Sequence, residues 1–384
     1  MTTLVDKLNI FKRKPQKIDL AEATATQLIL IKLRRHKLAW ASIWLLGMAY
    51  FVAAFAEFFA PFESGDSWRR YTYAPPQEMN FFETTEQGWR WAPHLTVFKV
   101  KTDPMTLQKS YEIDENDKSY FSFFGESEPY RLMGFIPMST KFIAPHDTKK
   151  PFFWLGSDRM GRDMFSRIIF GARISLSVGL MGVFFSLVIG ISVGGIAGLR
   201  GGWIDNVINR TMEIIKAIPT LPLWMALTAS LPREWDSITK YFLVTLILGC
   251  VTWPDMAREV RSRFMALRNE EFVNAAWLDG NTQPQIIRRY MLPNFMSHII
   301  ANVTLAIPTM ILGETALSFL GLGLQAPVVS WGVLLQEAQN IRSVADAPWL
   351  LLPAAMVVTV ILAMNSLGDG LRDATDPYHE QGAK

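Results

Sequence analysis

Six stretches of the chain are apolar enough to read as membrane spans: residues 38–60, 174–199, 217–231, 241–257, 295–312 and 349–367. A helix rises about 1.5 Å per residue, so roughly 20 apolar residues cross a bilayer core. The first run follows a long basic lead and exceeds the apolar core of a cleaved signal, so it reads as a span. The third is short and carries Pro219 and Pro222. A span doubly interrupted by proline is tolerated where other helices or a water-filled cavity satisfy the freed backbone, which makes both prolines candidates for lining a pathway.

Between the first two runs the pattern changes. Residues 61–154 are polar, charged and aromatic, and the alternation at 96–101 and 118–124 predicts strands separated by a turn at 114–117. The chain is therefore expected to be an all-α polytopic membrane protein of six spans, with a small mostly-β or mixed extracytoplasmic domain inserted after the first. The expected division is a basic segment 1–37, a first span 38–60, the insertion 61–154, a transmembrane domain 155–373 and a tail 374–384. After the insertion, Phe165, Ile168, Ile169 and Ala172 share one helical face. This predicts an interfacial helix whose Arg162, Arg167 and Arg173 reach toward water.

Lys and Arg concentrate in 1–37 and 258–293 and are scarce in 232–240 and 321–348. The positive-inside rule then places both termini in the cytoplasm, and a long translocated domain such as 61–154 is exempt from it. Half of the 384 residues are hydrophobic, with 13 Trp and 25 Phe, as suits a protein of the membrane interface. The single Cys250 excludes an intrachain disulfide. No Gly-Lys dipeptide occurs, so there is no P-loop, and any ATP chemistry belongs to a partner. Nothing points to nucleic acid or a metal. His94 and His146 lack a catalytic neighbourhood, so a membrane-anchored enzyme is a weak alternative.

The polar interruption 270–293, EEFVNAAWLDGNTQPQIIRRYMLP, is laid out as helix, hinge and helix. Phe272, Ala275, Ala276 and Asp279 recur at i, i+3, i+4 and i+7 and define one small-residue face. Gly280 stops the first helix, Thr282 with Gln285 forms a capping box for the second, and Pro293 is expected to end it. A flat Ala-Ala face outside the bilayer suits another protein's groove. The segment resembles the EAA loop of the permease subunits of binding-protein-dependent ABC importers, with Ala275, Ala276, Gly280, Leu292 and Pro293 in register. Asn274 stands where Glu is usual and Tyr290 where Ile is usual. The resemblance assigns ATPase coupling to Asn274, Ala275, Ala276, Leu278, Asp279, Gly280, Leu292 and Pro293.

Three further motifs carry the resemblance. LGSDRMGRD at 155–163 is similar to the signature before the second span of dipeptide and oligopeptide permeases, with Ser157 for the usual Thr. GETALSFLGLG and the later Ser-Trp-Gly resemble the C-type subunit, as does the tail LGDGLRDATDP, where Tyr378 follows the Pro. Contact with the binding protein is expected of Gly156, Asp158, Gly161, Arg162, Asp163, Ser330, Trp331 and Gly332. Glu314 and Ser318 join the pathway candidates, because an ionisable residue near membrane depth is a functional hypothesis. For Glu314 the alternative is plain contact with outer water.

The family implies a B-type permease partner, two P-loop ATPases carrying ATP and Mg, and an extracytoplasmic solute-binding protein. It also implies a bacterial inner membrane and a chain that binds no cofactor and is not itself an enzyme. The expected solute is a peptide, with an oligosaccharide second and a nickel complex also carried by relatives. An ion-coupled secondary transporter using Glu314 as its proton site is the competing class.

Overall fold

The computed structural model describes residues 25–375 except 86–87, 106–108 and 233. The expected basic lead at 1–24 and the tail beyond 375, with Tyr378, lie outside the described residues. Helices α1 (Ala25–Arg35), α2 (Lys37–Ala54) and α3 (Ala56–Phe59) lead into four strands, β1 (Met79–Thr85), β2 (Gly88–Thr102), β3 (Lys109–Leu132) and β4 (Ile136–Pro145). Then follow α4 (Met164–Arg200), α5 (Gly202–Ala217), α6 (Thr220–Ala229), α7 (Ser237–Leu267), α8 (Glu271–Leu278) and α9 (Gln283–Ile286). A π-helical turn at Ile287–Met291 joins α9 to α10 (Leu292–Phe319), and α11 (Trp331–Leu335), α12 (Ile341–Asp346) and α13 (Leu352–Thr375) follow.

Among the described residues, five helical segments are long and apolar enough to cross a membrane: Lys37–Ala54, Met164–Arg200, Ser237–Leu267, Gln283–Phe319 and Pro348–Thr375. Their outward faces carry exposed large apolar side chains such as Trp44, Met48, Phe184, Phe242 and Leu362. The third expected span is different. Its helix α6 has only ten residues, and Pro219 is the N-cap with Pro222 in the first turn, where a missing N–H has no intrahelical partner to lose. The prolines start this helix instead of interrupting it.

Close helix approach is built on glycine. A Cβ at Gly190, Gly194 or Gly198 would lie 2.6 Å from Met256 Cβ, 2.3 Å from Ala257 O and 2.7 Å from Arg261 O, respectively. These positions, four apart on α4, form a seam against α7, the small-residue spacing that lets helices approach in lipid. Tyr241 Oη donates to Ser177 Oγ at 3.0 Å farther along the same pair. Residues 177–198 thus meet 241–261 in ascending order, so α4 and α7 run parallel. The chain must travel back the length of α4 between them, and α5 and α6 together make that return.

The expected interfacial helix does not exist as a separate element. Residues 164–200 form one helix, because Asp163 caps it and nothing between Arg173 and Ile174 breaks it. Arg173 clamps the end of the first span instead of reaching to water. Its guanidinium donates to Ala53 O and Ala54 O, both at 2.9 Å, and bidentately to Glu57 at 2.6 Å on each oxygen.

The insertion is an antiparallel meander in the order β1-β2-β3-β4. The turn expected at 114–117 is a bulge within β3. Thr96 pairs with Lys118 and the next residue, Val97, with Asp114, leaving 115–117 unpaired. Phe62, Leu95, Phe121, Ile143 and Phe152 form its core, so the chain on both sides of the sheet packs into it.

Candidate functional site

The loop 270–293 is anchored from one side and exposed on the other. Val273 and Ala276 of α8 are buried, in a cluster with Val260, Phe264, Ile286 and Met291. Phe272, Asn274, Ala275, Leu278, Asp279 and Gly280 are exposed, and Leu278 retains 90 % of its accessible surface. The two alanines therefore part company: Ala276 is a core residue of this chain and only Ala275 faces outward. A 100° step per residue separates them, and the buried stripe passes through i and i+3 at Val273 and Ala276.

The hinge has the expected chemistry. Gly280 sits at φ 77 with open space around it, and its N–H donates to Trp277 O at 3.0 Å while Asn281 N–H donates to Ala276 O at 3.3 Å. This pair of bonds is a Schellman closure, which needs a residue in the left-handed region. Thr282 N–H then donates to Gln285 Oε1 at 2.7 Å, the backbone half of the capping box that opens α9. Pro293 does not end the second helix. It lies in the first turn of α10, and the π turn at Ile287–Met291 changes the hydrogen-bond register before it, so the helix continues past the proline.

The residues expected to touch a binding protein form a buried knot. Asp158 is fully buried and accepts from Met160 N (2.8 Å), Arg162 N (2.9 Å), Arg162 Nε (2.6 Å) and the guanidinium of buried Arg167. Gly156 and Gly161 have φ 80 and φ 72, and a Cβ would lie 2.6 Å from the Trp349 ring and 2.1 Å from Trp68 O. Asp163 caps α4 through the amides of Phe165 and Ser166. Burial lifts its carboxyl to about 7, against the Ser166 and Phe165 donors that draw it down. Ser330, Trp331 and Gly332 are buried as well, and Arg162 is half-buried. Seven of these eight residues are thus buried within this chain, where they hold the insertion, α4 and α11 together.

Glu314 is fully buried, so contact with outer water is excluded. Its Oε1 accepts from Ser318 Oγ at 2.8 Å and Ser330 Oγ at 2.7 Å, and its Oε2 from Ser175 Oγ at 3.1 Å. Each serine passes the connection onward, accepting from the backbone N–H of Leu324, Val333 and Trp331 in turn. One carboxylate thus ties α4, α10, the 321–330 loop and α11 into a single polar node. Of the other pathway candidates, Ser318 belongs to the node, whereas Pro219 and Pro222 lie exposed at the start of α6.

A cleft of about 370 Å³ opens between α4, α7 and α10, with Ser186, Thr252, Asp255, Glu259, Asn302 and Thr309 among its polar lining. None of these was singled out from the sequence. The available signal was the pair Asp255 and Glu259 at i, i+4 within an apolar helix, with Asn302 and Thr309 at i, i+7 on the next.

Residues 165–378 match the family described as the binding-protein-dependent transport system inner membrane component. The chain belongs to that family. Residues 24–76 of the permease match the N-terminal TM domain of oligopeptide transport permease C. It is 41 % identical over 225 residues to the dipeptide transport system permease protein DppC of Alkalihalophilus pseudofirmus, covering 58 % of this chain and 71 % of that one. It is 36 % identical over 259 residues to the oligopeptide transport system permease protein OppC of Haemophilus influenzae, covering 67 % and 78 %. To OppC of Escherichia coli the figures are 38 % over 225 residues, 58 % and 72 %. The permease is therefore a C-type transport subunit and a multi-pass inner-membrane protein. Residues 77–164, which hold the β-sheet, fall between the two family matches.

Proposed function

We propose that this permease forms half of the path by which an ATP-driven importer moves peptides delivered by an extracytoplasmic binding protein. A B-type permease supplies the other half, and two P-loop ATPases carry the ATP and Mg. Peptide is favoured over oligosaccharide or nickel complexes because the similar permeases named above are dipeptide and oligopeptide subunits. In this reading the chain crosses the membrane six times, with α5 and α6 as a two-piece third crossing, and both termini and α8 lie in the cytoplasm. The cleft lined by Thr252, Asn302 and Thr309 is the solute-facing wall.

The exposed face of α8 carries the reading. An apolar surface of Phe272, Ala275 and Leu278 rides on a short helix whose opposite face is locked into the permease core. A partner that grips this face moves Val273 and Ala276, and through them the ends of α4, α7 and α10, as one body. Nucleotide-driven closure of the ATPases then swings the spans between inward-open and outward-open states.

The test compares Ala275→Asp with Ala276→Asp in native membranes. The exposed substitution should leave the permease folded while ATPase subunits no longer co-purify and peptide uptake is lost. The buried one should damage the loop itself. Normal co-purification and uptake with Ala275→Asp would sink the coupling role of α8.

A further inference from the structure

The β3–β4 hairpin ends in a tip with the wrong composition for water. It turns through Met133, Gly134 and Phe135, between the paired Leu132 and Ile136, and Met133 and Gly134 have φ 52 and φ 85, a conformation that turns in solvent fill with Asn, Asp or Gly. Met133 holds the left-handed conformation, where a long side chain is strained, and it remains 44 % exposed. The following Phe135 is 71 % exposed and Ile136 41 %. Phe124, farther back along β3, is also at positive φ with 65 % of its surface open, but its ring meets Phe58 and Phe142. Packing within this chain does not account for the apolar side chains at the tip.

Their position does. Met133 N–H reaches Glu57 Oε2 at 3.5 Å, and Glu57 is the residue that Arg173 clamps just beyond the first span. Aromatic contacts tie the same segment to the sheet: Phe51 on the exposed face of α2 meets Phe59 at 5.8 Å, and Phe58 meets Phe124, farther back on β3, at 6.2 Å. Through Glu57 the tip lies beside the end of the first candidate span, Lys37–Ala54. Exposed Arg131 adds a cation beside the apolar residues, the pairing that aromatic and basic side chains make with headgroups.

We propose that the hairpin tip, residues 131–136, is a monotopic lipid anchor. Met133, Phe135 and Ile136 seat in the headgroup and upper acyl region beside α2, with Arg131 on the phosphates. The anchor holds the insertion at a fixed tilt against the bilayer, since α3 by itself is one helical turn. It depends only on α2 spanning the membrane, not on the identity of the solute or the ATPases.

The test is spin-label accessibility in the full-length permease, with Cys250→Ala as background, in phosphatidylethanolamine–phosphatidylglycerol vesicles. A label at Phe135→Cys is compared with one at Thr102→Cys, an exposed position at the far end of the sheet. The ratio of oxygen to nickel-chelate accessibility should be several-fold higher at 135 than at 102. Equal ratios, meaning a solvated tip, would overturn the proposal. So would a label shielded from both reagents, which would indicate protein cover such as a second permease. Met133→Asn suits the left-handed turn and removes only the apolar chain, so the sheet should fold unchanged while nickel accessibility at 135 rises. No rise would also count against the anchor.

Discussion

Replacing Glu314 separates a structural node from a solute site. In Glu314→Gln the retained carbonyl oxygen still accepts from Ser318 and Ser330, now at 2.8 and 2.7 Å. Only the 3.1 Å contact with Ser175 meets an amide donor in place of an acceptor. Ser175 Oγ accepts from Trp331 N–H and has a second lone pair, so that contact can reverse with the hydroxyl hydrogen turned away. One altered hydrogen bond corresponds to about 1 kcal/mol. Glu314→Ala removes all three, leaves buried hydroxyls to find new acceptors and opens a void. At about 1 kcal/mol per lost bond, plus the void and any hydroxyl left unpaired, the loss is about 3–6 kcal/mol, a large part of a typical protein's stability. Thermal unfolding of the detergent-solubilised permease and peptide uptake in membranes check the pair. The expected pattern is near-native stability and uptake for Glu314→Gln, and a strongly lowered unfolding midpoint for Glu314→Ala. A Glu314→Gln permease that unfolds normally but does not transport would show that the carboxylate acts on solute or on gating, and would refute the node.

Two glycines should respond in opposite directions to alanine. Gly47→Ala, inside α2 with nothing within 4 Å of the new Cβ, should stabilise by up to about 1 kcal/mol, whereas Gly194→Ala drives its Cβ to 2.3 Å from Ala257 O and should cost about 1–3 kcal/mol despite the same helix-propensity gain. Unfolding midpoints that shift the same way for both would contradict the α4–α7 seam. Asp205 of α5 accepts from the Arg261 guanidinium of α7 at 2.7 Å. Asp205→Asn removes the charge from this pair and should lower stability by about 1–3 kcal/mol; an unchanged unfolding midpoint would remove the pair from the account.

The family, five of the six expected spans and the hinge chemistry of the 270–293 loop were legible in the chain because each depends on neighbours within a turn or two. Apolar runs long enough to cross a bilayer, Gly280 at a left-handed closure and Thr282 with Gln285 are local facts. What each side chain of a motif faces is not local. Ala275 and Ala276 are adjacent and chemically identical, and only packing against Phe264 and Ile286 makes one a core residue and the other surface. The LGSDRMGRD and Ser-Trp-Gly motifs read as outward contacts, yet Trp68, Ala74 and Trp349 pack over the first, and Ile168, Ser175 and Glu314 over the second, all distant in sequence. Glu314 looked isolated because its partners Ser175 and Ser330 come from other elements. The same holds for the helices: a proline marks a break only if its missing N–H was needed, and the π turn before Pro293 and the helix start at Pro219 remove that need. Sequence determined five of the six segments expected to be apolar enough to cross a membrane, and the bend at Gly280. Tertiary structure decided which residues the chain keeps for itself, because burial is a property of the surfaces that meet and not of the segment that carries them.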